Sequence, residues 1–299
     1  MHTPPADHPA LHRPIVVVGA PRSGTTILGS LLGTHPDLTY LEEPRLTWKF
    51  GNDRRSDMLR PEHATPPVVA HIRRAFARRV AEGGGRRLLE KTPSNALRLG
   101  FVDAVLPDAL YVHILRDGVE SVLSIAQFWG RHTTGIPRHK LAQRLREHKP
   151  SRLPHYGKEV LRRLAPGLMG GASPWGPRLP GIEAMARELR PLEVAALQWR
   201  TCVERAVDFG RSLPPDRYLQ LRLEDLGVEV ARRIVEFVGL PPSDAVDRAI
   251  DEQFRPTDPC RRRAAADPAD VALIQIWIAP TQRWLDETDG NASPALRSI

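Results

Sequence analysis

The segment from Ile15 to Thr34 constrains this chain more than any other stretch. Ile15-Val16-Val17-Val18 is a short run of apolar, β-branched residues. Such a run suits a strand buried on both faces of a parallel sheet. Gly19 ends it, and Gly24 follows in the spacing GxxxxG, as Gly19-Ala20-Pro21-Arg22-Ser23-Gly24. Ile27, Leu28, Leu31 and Leu32 then recur at helical spacing, until His35-Pro36 stops the pattern. A strand, a glycine-rich turn and a helix in that order aim backbone N–H groups and the positive end of the helix at one point. A ligand-free tight turn has the same glycine spacing. Arg22 inside the loop and the hydroxyls of Thr25 and Thr26 favour an anion-binding loop instead.

The rest of the chain supports the same architecture. Arg87–Glu90, Leu110–Leu115 and Tyr218–Leu223 read as further strands. Val119–Trp129, Leu192–Phe209 and Glu229–Val238, the last ending at Gly239, read as helices. Alternation of this kind predicts an α/β fold: a P-loop-type parallel β-sheet flanked by helices. With 299 residues, 41% of them hydrophobic, one large α/β domain is expected. Residues 1–13 read as a flexible N-terminal tail and 14–299 as a single domain. Residues from about 130 to 191, rich in Pro, Gly, Arg and His, read as a partly helical insertion or lid forming the acceptor side. Asp267-Pro268 resembles a helix start, and Pro280 is expected to kink or break the helix at that point.

Two cysteines, Cys202 and Cys260, cannot build a disulfide framework, and neither sits in a CxxC pair. A reducing, cytoplasmic setting is the simplest reading. The N-terminus lacks the apolar stretch of a signal peptide, and no run reaches the length of a membrane span. The formal net charge of +8 favours anionic partners, a phosphorylated small molecule as readily as nucleic acid.

The loop departs from a kinase loop in an informative way. Thr25 stands where a nucleoside-triphosphate loop carries Lys after the second Gly. Kinases use that Lys, with Mg²⁺, to neutralise a highly charged terminal phosphate. A sulfuryl group carries less charge, so Arg22 and threonine hydroxyls can suffice without metal. The segment PIVVVGAPRSGTTILGSLLGTHPDL resembles the 5′-phosphosulfate-binding segment of sulfotransferases that use 3′-phosphoadenosine 5′-phosphosulfate (PAPS). The likeness is greatest to the tyrosylprotein, carbohydrate and bacterial branches. HILRDGVESVLS, residues 113–124, resembles the 3′-phosphate-binding segment of the same enzymes, with Arg116 and, eight residues on, Ser124 at the matching positions. Arg116 would leave a strand at its C-terminal end, where open α/β sheets bind ligands. Its fork of donors suits a phosphate.

The resemblance implies an in-line transfer from PAPS to a hydroxyl, with no metal. Pro21, Arg22, Ser23, Gly24, Thr25 and Thr26 would hold the 5′ end, and Arg116 and Ser124 the 3′-phosphate. Glu43 lies 21 residues after Arg22 in LEEPR, where the tyrosylprotein branch places its general base; Glu42 is the rival, and Arg45 would orient the base or touch the acceptor. EKTPSN, residues 90–95, resembles an element of the carbohydrate branch, and Lys91 would stabilise the leaving nucleotide. Lys91 and Arg22 join Glu43 as expected catalytic groups. The classical cytosolic branch places a catalytic His shortly after such a Lys; here Thr92, Pro93, Ser94 and Asn95 follow, which removes the histidine mechanism. Leu223 takes the place of a family Tyr in LRLEDL.

Other assignments stay open at this stage. Arg261, Arg262 and Arg263 would clamp the 3′-phosphate or form a solvated charge run. The basic 131–166 segment has no assigned role. Trp129, His132, Trp175 and Trp199 are candidates for an acceptor pocket, against a stronger expectation of core packing. The expected acceptor is a small molecule or carbohydrate with a hydroxyl, with neither nucleic acid nor a membrane span involved. The competing readings are a P-loop kinase of small molecules or nucleotides, and a non-catalytic nucleic-acid or anion binder, whose affinity would fall steeply with salt.

Overall fold

Parallel strands cannot be joined by tight turns, so each pairing forces a crossover that covers one face of the sheet. The computed structural model describes residues 8–132, 176–255, 258 and 260–291. Five strands form one sheet in the order β2-β3-β1-β4-β5. They are β1 (Ile15–Val18), β2 (Leu38–Glu42), β3 (Arg87–Lys91), β4 (Leu110–Leu115) and β5 (Tyr218–Arg222). Every pairing is parallel. All four residues of β1 and all six of β4 are buried, as their uninterrupted apolar character predicts.

Helices cover both faces. On one side α1 (Thr25–Leu32), α8 (Val228–Phe237) and α9 (Asp244–Gln253) pack on Ile15, Val17, Val112 and Ile114. On the other, Val16, Val18 and Tyr111 meet α3 (Pro66–Glu82), α4 (Leu99–Val105), α5 (Gly118–His132), α7 (Pro191–Arg211) and α11 (Pro268–Asn291). The alternation of side chains along β1 feeds both cores. The shorter helices are α2 (Arg45–Lys49), α6 (Ile182–Glu188) and α10 (Arg261–Ala265). From β1 the chain crosses to β2 on one side; from β4 it crosses to β5 on the other. The crevice between the ends of β1 and β4 is therefore the topological switch point, where such sheets take ligands.

The strands and helices expected from sequence are all present, with ends shifted by a few residues at most. β2 and the helices α3, α4 and α9 were not anticipated. Residues 8–13 are not loose: Pro9–Leu11 forms a 3₁₀ turn that buries Ala10 and Leu11 in the core. Pro280 does not break its helix either, since α11 runs through it. Arg200 of α7 donates to the Trp277 carbonyl at 3.0 Å and to the Thr281 hydroxyl at 3.1 Å. Those bonds hold the turn beside the proline, where the intrahelical ladder loses a donor. Most of the expected insertion, residues 133–175, lies outside the described residues, and Trp175 with it. The chain re-enters at Gly176; the Arg178 N–H donates to the Asp57 carboxylate at 2.7 Å, and the Asp57 N–H donates to the Arg178 carbonyl at 2.8 Å.

Candidate active site

The C-terminal ends of four adjacent strands bring the candidate residues together. Glu42 pairs in register with Lys91, and Val17 also lies opposite Lys91, so the ends of β2, β3 and β1 are level. The glycine loop leaves β1, and Arg116 follows β4 directly.

Gly24 caps α1 with φ +98°, in the left-handed region, and no side chain caps the helix. The first amide groups of α1, which have no intrahelical acceptors, are thus left without a side-chain cap at the end of the loop. Arg22 also adopts a left-handed conformation, with φ +67°. Its Nε donates to Ser124 Oγ at 3.1 Å, and its guanidinium lies 5.2 Å from the centre of the Phe128 ring. Arg116 Nη1 donates to the Arg22 carbonyl at 3.3 Å. The two motifs read separately from sequence thus meet in one cluster. Ser23 is different. It is buried, and both its N–H and its hydroxyl bond the Ala20 carbonyl, at 3.2 and 2.7 Å. Its side chain shapes the loop. Leu223, in the place of the family Tyr, packs over Gly24: a Cβ built there would lie 2.7 Å from Leu223 Cδ1.

Lys91 joins the loop to the carboxylates. Its side chain is fully buried, and Nζ donates to Thr26 Oγ1 at 2.9 Å, Glu43 Oε1 at 3.0 Å and Glu42 Oε1 at 3.2 Å. Arg45 Nη2 holds the other oxygen of Glu43 at 2.7 Å. Glu43 itself has φ +48°, while its N–H bonds the Lys91 carbonyl at 2.7 Å, one step beyond the β2–β3 ladder. The backbone thus turns sharply at the strand end and brings the carboxylate back over Lys91.

Glu90 points to the opposite face of the sheet from Lys91. It accepts from Trp48 Nε1 at 2.9 Å, Thr92 Oγ1 at 2.5 Å and Asn95 Nδ2 at 3.0 Å. Burial pushes its pKa up to about 7, against the lowering effect of the Thr92 and Trp48 donors and of the charges of Arg98 and Lys91. Asn95 in turn accepts from the buried Arg98, whose Nη1 lies 3.7 Å from Asp57. Burial alone would raise the Asp57 pKa; the charges of Lys49, Arg98 and Arg178 overcome it and hold the carboxyl below its usual range. This network fixes the turn after Lys91 and was not anticipated beyond Lys91 itself. The sequence signal was EKTPSN, where hydrogen-bonding residues follow a strand without a gap.

At the other edge, Asp117 starts α5 by accepting from the Glu120 N–H at 2.9 Å. The Glu120 carboxylate accepts from the N–H groups of Arg262 and Arg263 at 2.7 and 2.8 Å. It also meets Arg116 at 3.3 Å and Arg262 Nη1 at 3.4 Å. The CRRR run is therefore docked on α5 beside Arg116 and is not a freely solvated face. Trp199 is buried and Trp129 half-buried, both against the core, and the side chain of His132 lies outside the described residues.

The donor set fits an anionic group: cations and hydroxyls ring the switch point. Residues 14–162 match the family model described as Sulfotransferase family. The chain belongs to the sulfotransferase family. Among curated relatives, nodulation protein NoeE of Sinorhizobium fredii is 32% identical over 130 residues, 38% of this chain and 31% of that protein. Protein-tyrosine sulfotransferase A of Caenorhabditis elegans is 28% identical over 123 residues, 37% of this chain and 32% of that protein. The matches thus span about a third of those relatives. Two solved structures share the family fold. Sulfotransferase STF9 of Mycobacterium avium has TM-score 0.53 at 14% identity, covering 97% of this chain and 79% of that one. The sulfotransferase domain of the curacin biosynthetic pathway has TM-score 0.52 at 16% identity, covering 90% and 98%. The kinase reading is not favoured. No helix among the described residues is long and apolar enough to cross a membrane.

Proposed function

We propose that the chain transfers a sulfuryl group from PAPS to a hydroxyl of a small-molecule or carbohydrate acceptor, with Glu43 as general base. The observation that carries this reading is the position of Lys91 Nζ, 2.9 Å from Thr26 of the loop and 3.0 Å from Glu43. One buried ammonium touches both the expected donor site and the expected base. PAPS supplies an activated sulfuryl group and a stable leaving nucleotide. Pro21 and Gly24 shape the loop with Ser23, while the Arg22 side chain, Thr25, Thr26 and the first amides of α1 bind the 5′ end. Arg116 and Ser124 bind the 3′-phosphate.

Arg45 engages one oxygen of Glu43 at 2.7 Å, which orients the carboxylate. The other oxygen then takes the proton of the acceptor hydroxyl. Lys91 and Arg22 stabilise negative charge as it develops on the leaving 5′-phosphate oxygen, a task for pre-positioned cations in a partly buried site. No residue role proposed here calls on a metal.

Calorimetry with 3′-phosphoadenosine 5′-phosphate tests the donor half of the reading. Binding should be at least about tenfold tighter than that of adenosine 5′-phosphate, which lacks the contacts at Arg116. Equal affinities would overturn the assignment. Incubation with PAPS and a panel of sugars and hydroxylated small molecules, read by a mass gain of one sulfuryl group, tests the acceptor half.

A further inference from the structure

Glu120 lies in the first turn of α5, where the helix dipole favours a carboxylate, but it is withdrawn from solvent. Its side chain is 1% exposed, in the middle of a basic region. A buried carboxylate is costly unless it is well paired. This one accepts from two consecutive N–H groups, of Arg262 at 2.7 Å and Arg263 at 2.8 Å. Its second oxygen lies 3.3 Å from Arg116 Nη2 and 3.4 Å from Arg262 Nη1. The bonds link positions 142 and 143 residues apart in the chain.

The two guanidinium groups it gathers would otherwise repel. Burial first, and then the charge of Arg262, hold the Arg116 guanidinium below its usual range. Arg262 is thus near enough for its charge to be felt at Arg116. Asp117 adds a looser tie, 3.9 Å from Arg263 Nη2. A packing anchor for α10 would need only the backbone bonds. Here the same carboxylate also bridges the side chains of Arg116 and Arg262, on the side of the crevice where Arg116 touches the glycine loop.

We propose that Glu120 is a positioning residue that joins Arg116 and Arg262 into one recognition unit for the 3′-phosphate of the donor. The inference rests on the donor reading above. Neutralising Glu120 removes the charge of the carboxylate that both guanidinium groups contact, while Asp117 and Glu224, whose charges also reach Arg116, remain; the two arms then separate and lose their shared geometry.

The test is the preference for 3′-phosphoadenosine 5′-phosphate over adenosine 5′-phosphate, measured by calorimetry on the full chain. Glu120→Gln should lower that preference roughly tenfold or more, the effect of losing one or two charge-assisted bonds. Affinity for adenosine 5′-phosphate should stay within about threefold. A preference that is unchanged or raised overturns the proposal, as does equal weakening of both nucleotides, which a merely structural tether would give. Arg262→Ala, which leaves the backbone bonds to Glu120 in place, provides a second variant should Glu120→Gln fail to fold. It should lower the same preference, and no change there also overturns the proposal. In the double variant the two losses should not add, because each removes the same unit. A wild-type chain that does not discriminate the two nucleotides would fail the donor reading itself, and this inference with it.

Discussion

Glu42 and Glu43 are neighbours with different physical standing. Glu42 is 45% exposed and meets Lys91 at 3.2 Å, a pair open to solvent screening. Glu43 is 20% exposed, is held by two cations and sits at φ +48°. A non-glycine residue in that region costs about 1–2 kcal/mol, which persists only where the surroundings enforce it. Here the enforcement is the bond from its N–H to the Lys91 carbonyl at 2.7 Å. Glu43→Gln should therefore lower single-turnover transfer by about 10²–10⁴-fold, the usual range for a lost general base. Its affinity for 3′-phosphoadenosine 5′-phosphate should change little. Glu42→Gln should cost far less turnover, and the reverse ranking would move the base to Glu42. Lys91→Met should lose turnover too, but with weaker nucleotide binding, because it also removes the donor to Thr26. A rate loss with unchanged nucleotide affinity would separate Lys91 from the loop.

At the scale of elements, the strand–loop–helix unit was legible because its chemistry is local: a β-branched run, two glycines at fixed spacing and a helical repeat. β2 was not, because it has only five residues and puts Thr39 and Tyr40 between Leu38 and Leu41. Such a segment becomes a strand through pairing with β3, which no local pattern announces. Glu43 was placed by resemblance; the turn that aims it became visible only with β2. Glu90 was hidden for a similar reason, since a carboxylate at a strand end reads as solvent-facing until Trp48 is brought in from elsewhere and Asn95 folds back onto it. The loop itself makes a sharper prediction. At Gly24 a side chain meets both a left-handed backbone and Leu223 Cδ1 at 2.7 Å. Gly24→Ala should destabilise the fold by about 1–3 kcal/mol and weaken nucleotide binding, read by urea denaturation and calorimetry. Adding Leu223→Ala should relieve the contact but leave the backbone strain, so recovery should be partial. Full recovery would mean that the φ value is not limiting.

For the whole molecule, two buried groups on different strands set opposing pH dependences. His113 of β4 is fully buried with Nδ1 2.5 Å from the Tyr218 hydroxyl, and burial lowers its pKa from 6.5 to about 3. Between those values the unfolded chain binds the proton and the folded one does not, so stability falls as pH drops from 6.5 towards 3. Glu90 behaves inversely. Its pKa is raised from 4.5 to about 7, so the folded chain holds the extra proton and stability grows as pH drops through that window. The integrated effects are of similar size, roughly 5 kcal/mol for His113 and roughly 3 kcal/mol for Glu90. They offset one another between about pH 6.5 and 4.5. Below about 4.5 the Glu90 contribution is complete. There His113 and Asp57, whose lowered pKa also makes stability fall in acid, act unopposed. Urea midpoints taken across this range should therefore be nearly flat near neutrality and fall steeply in stronger acid. Glu90→Gln removes the offset, so its midpoint should already decline below about pH 6.5. His113→Asn leaves Glu90 alone, so its midpoint should rise as pH is lowered from 7 to 4.5. Parallel curves for both variants and the wild type would show that neither group carries the pH dependence.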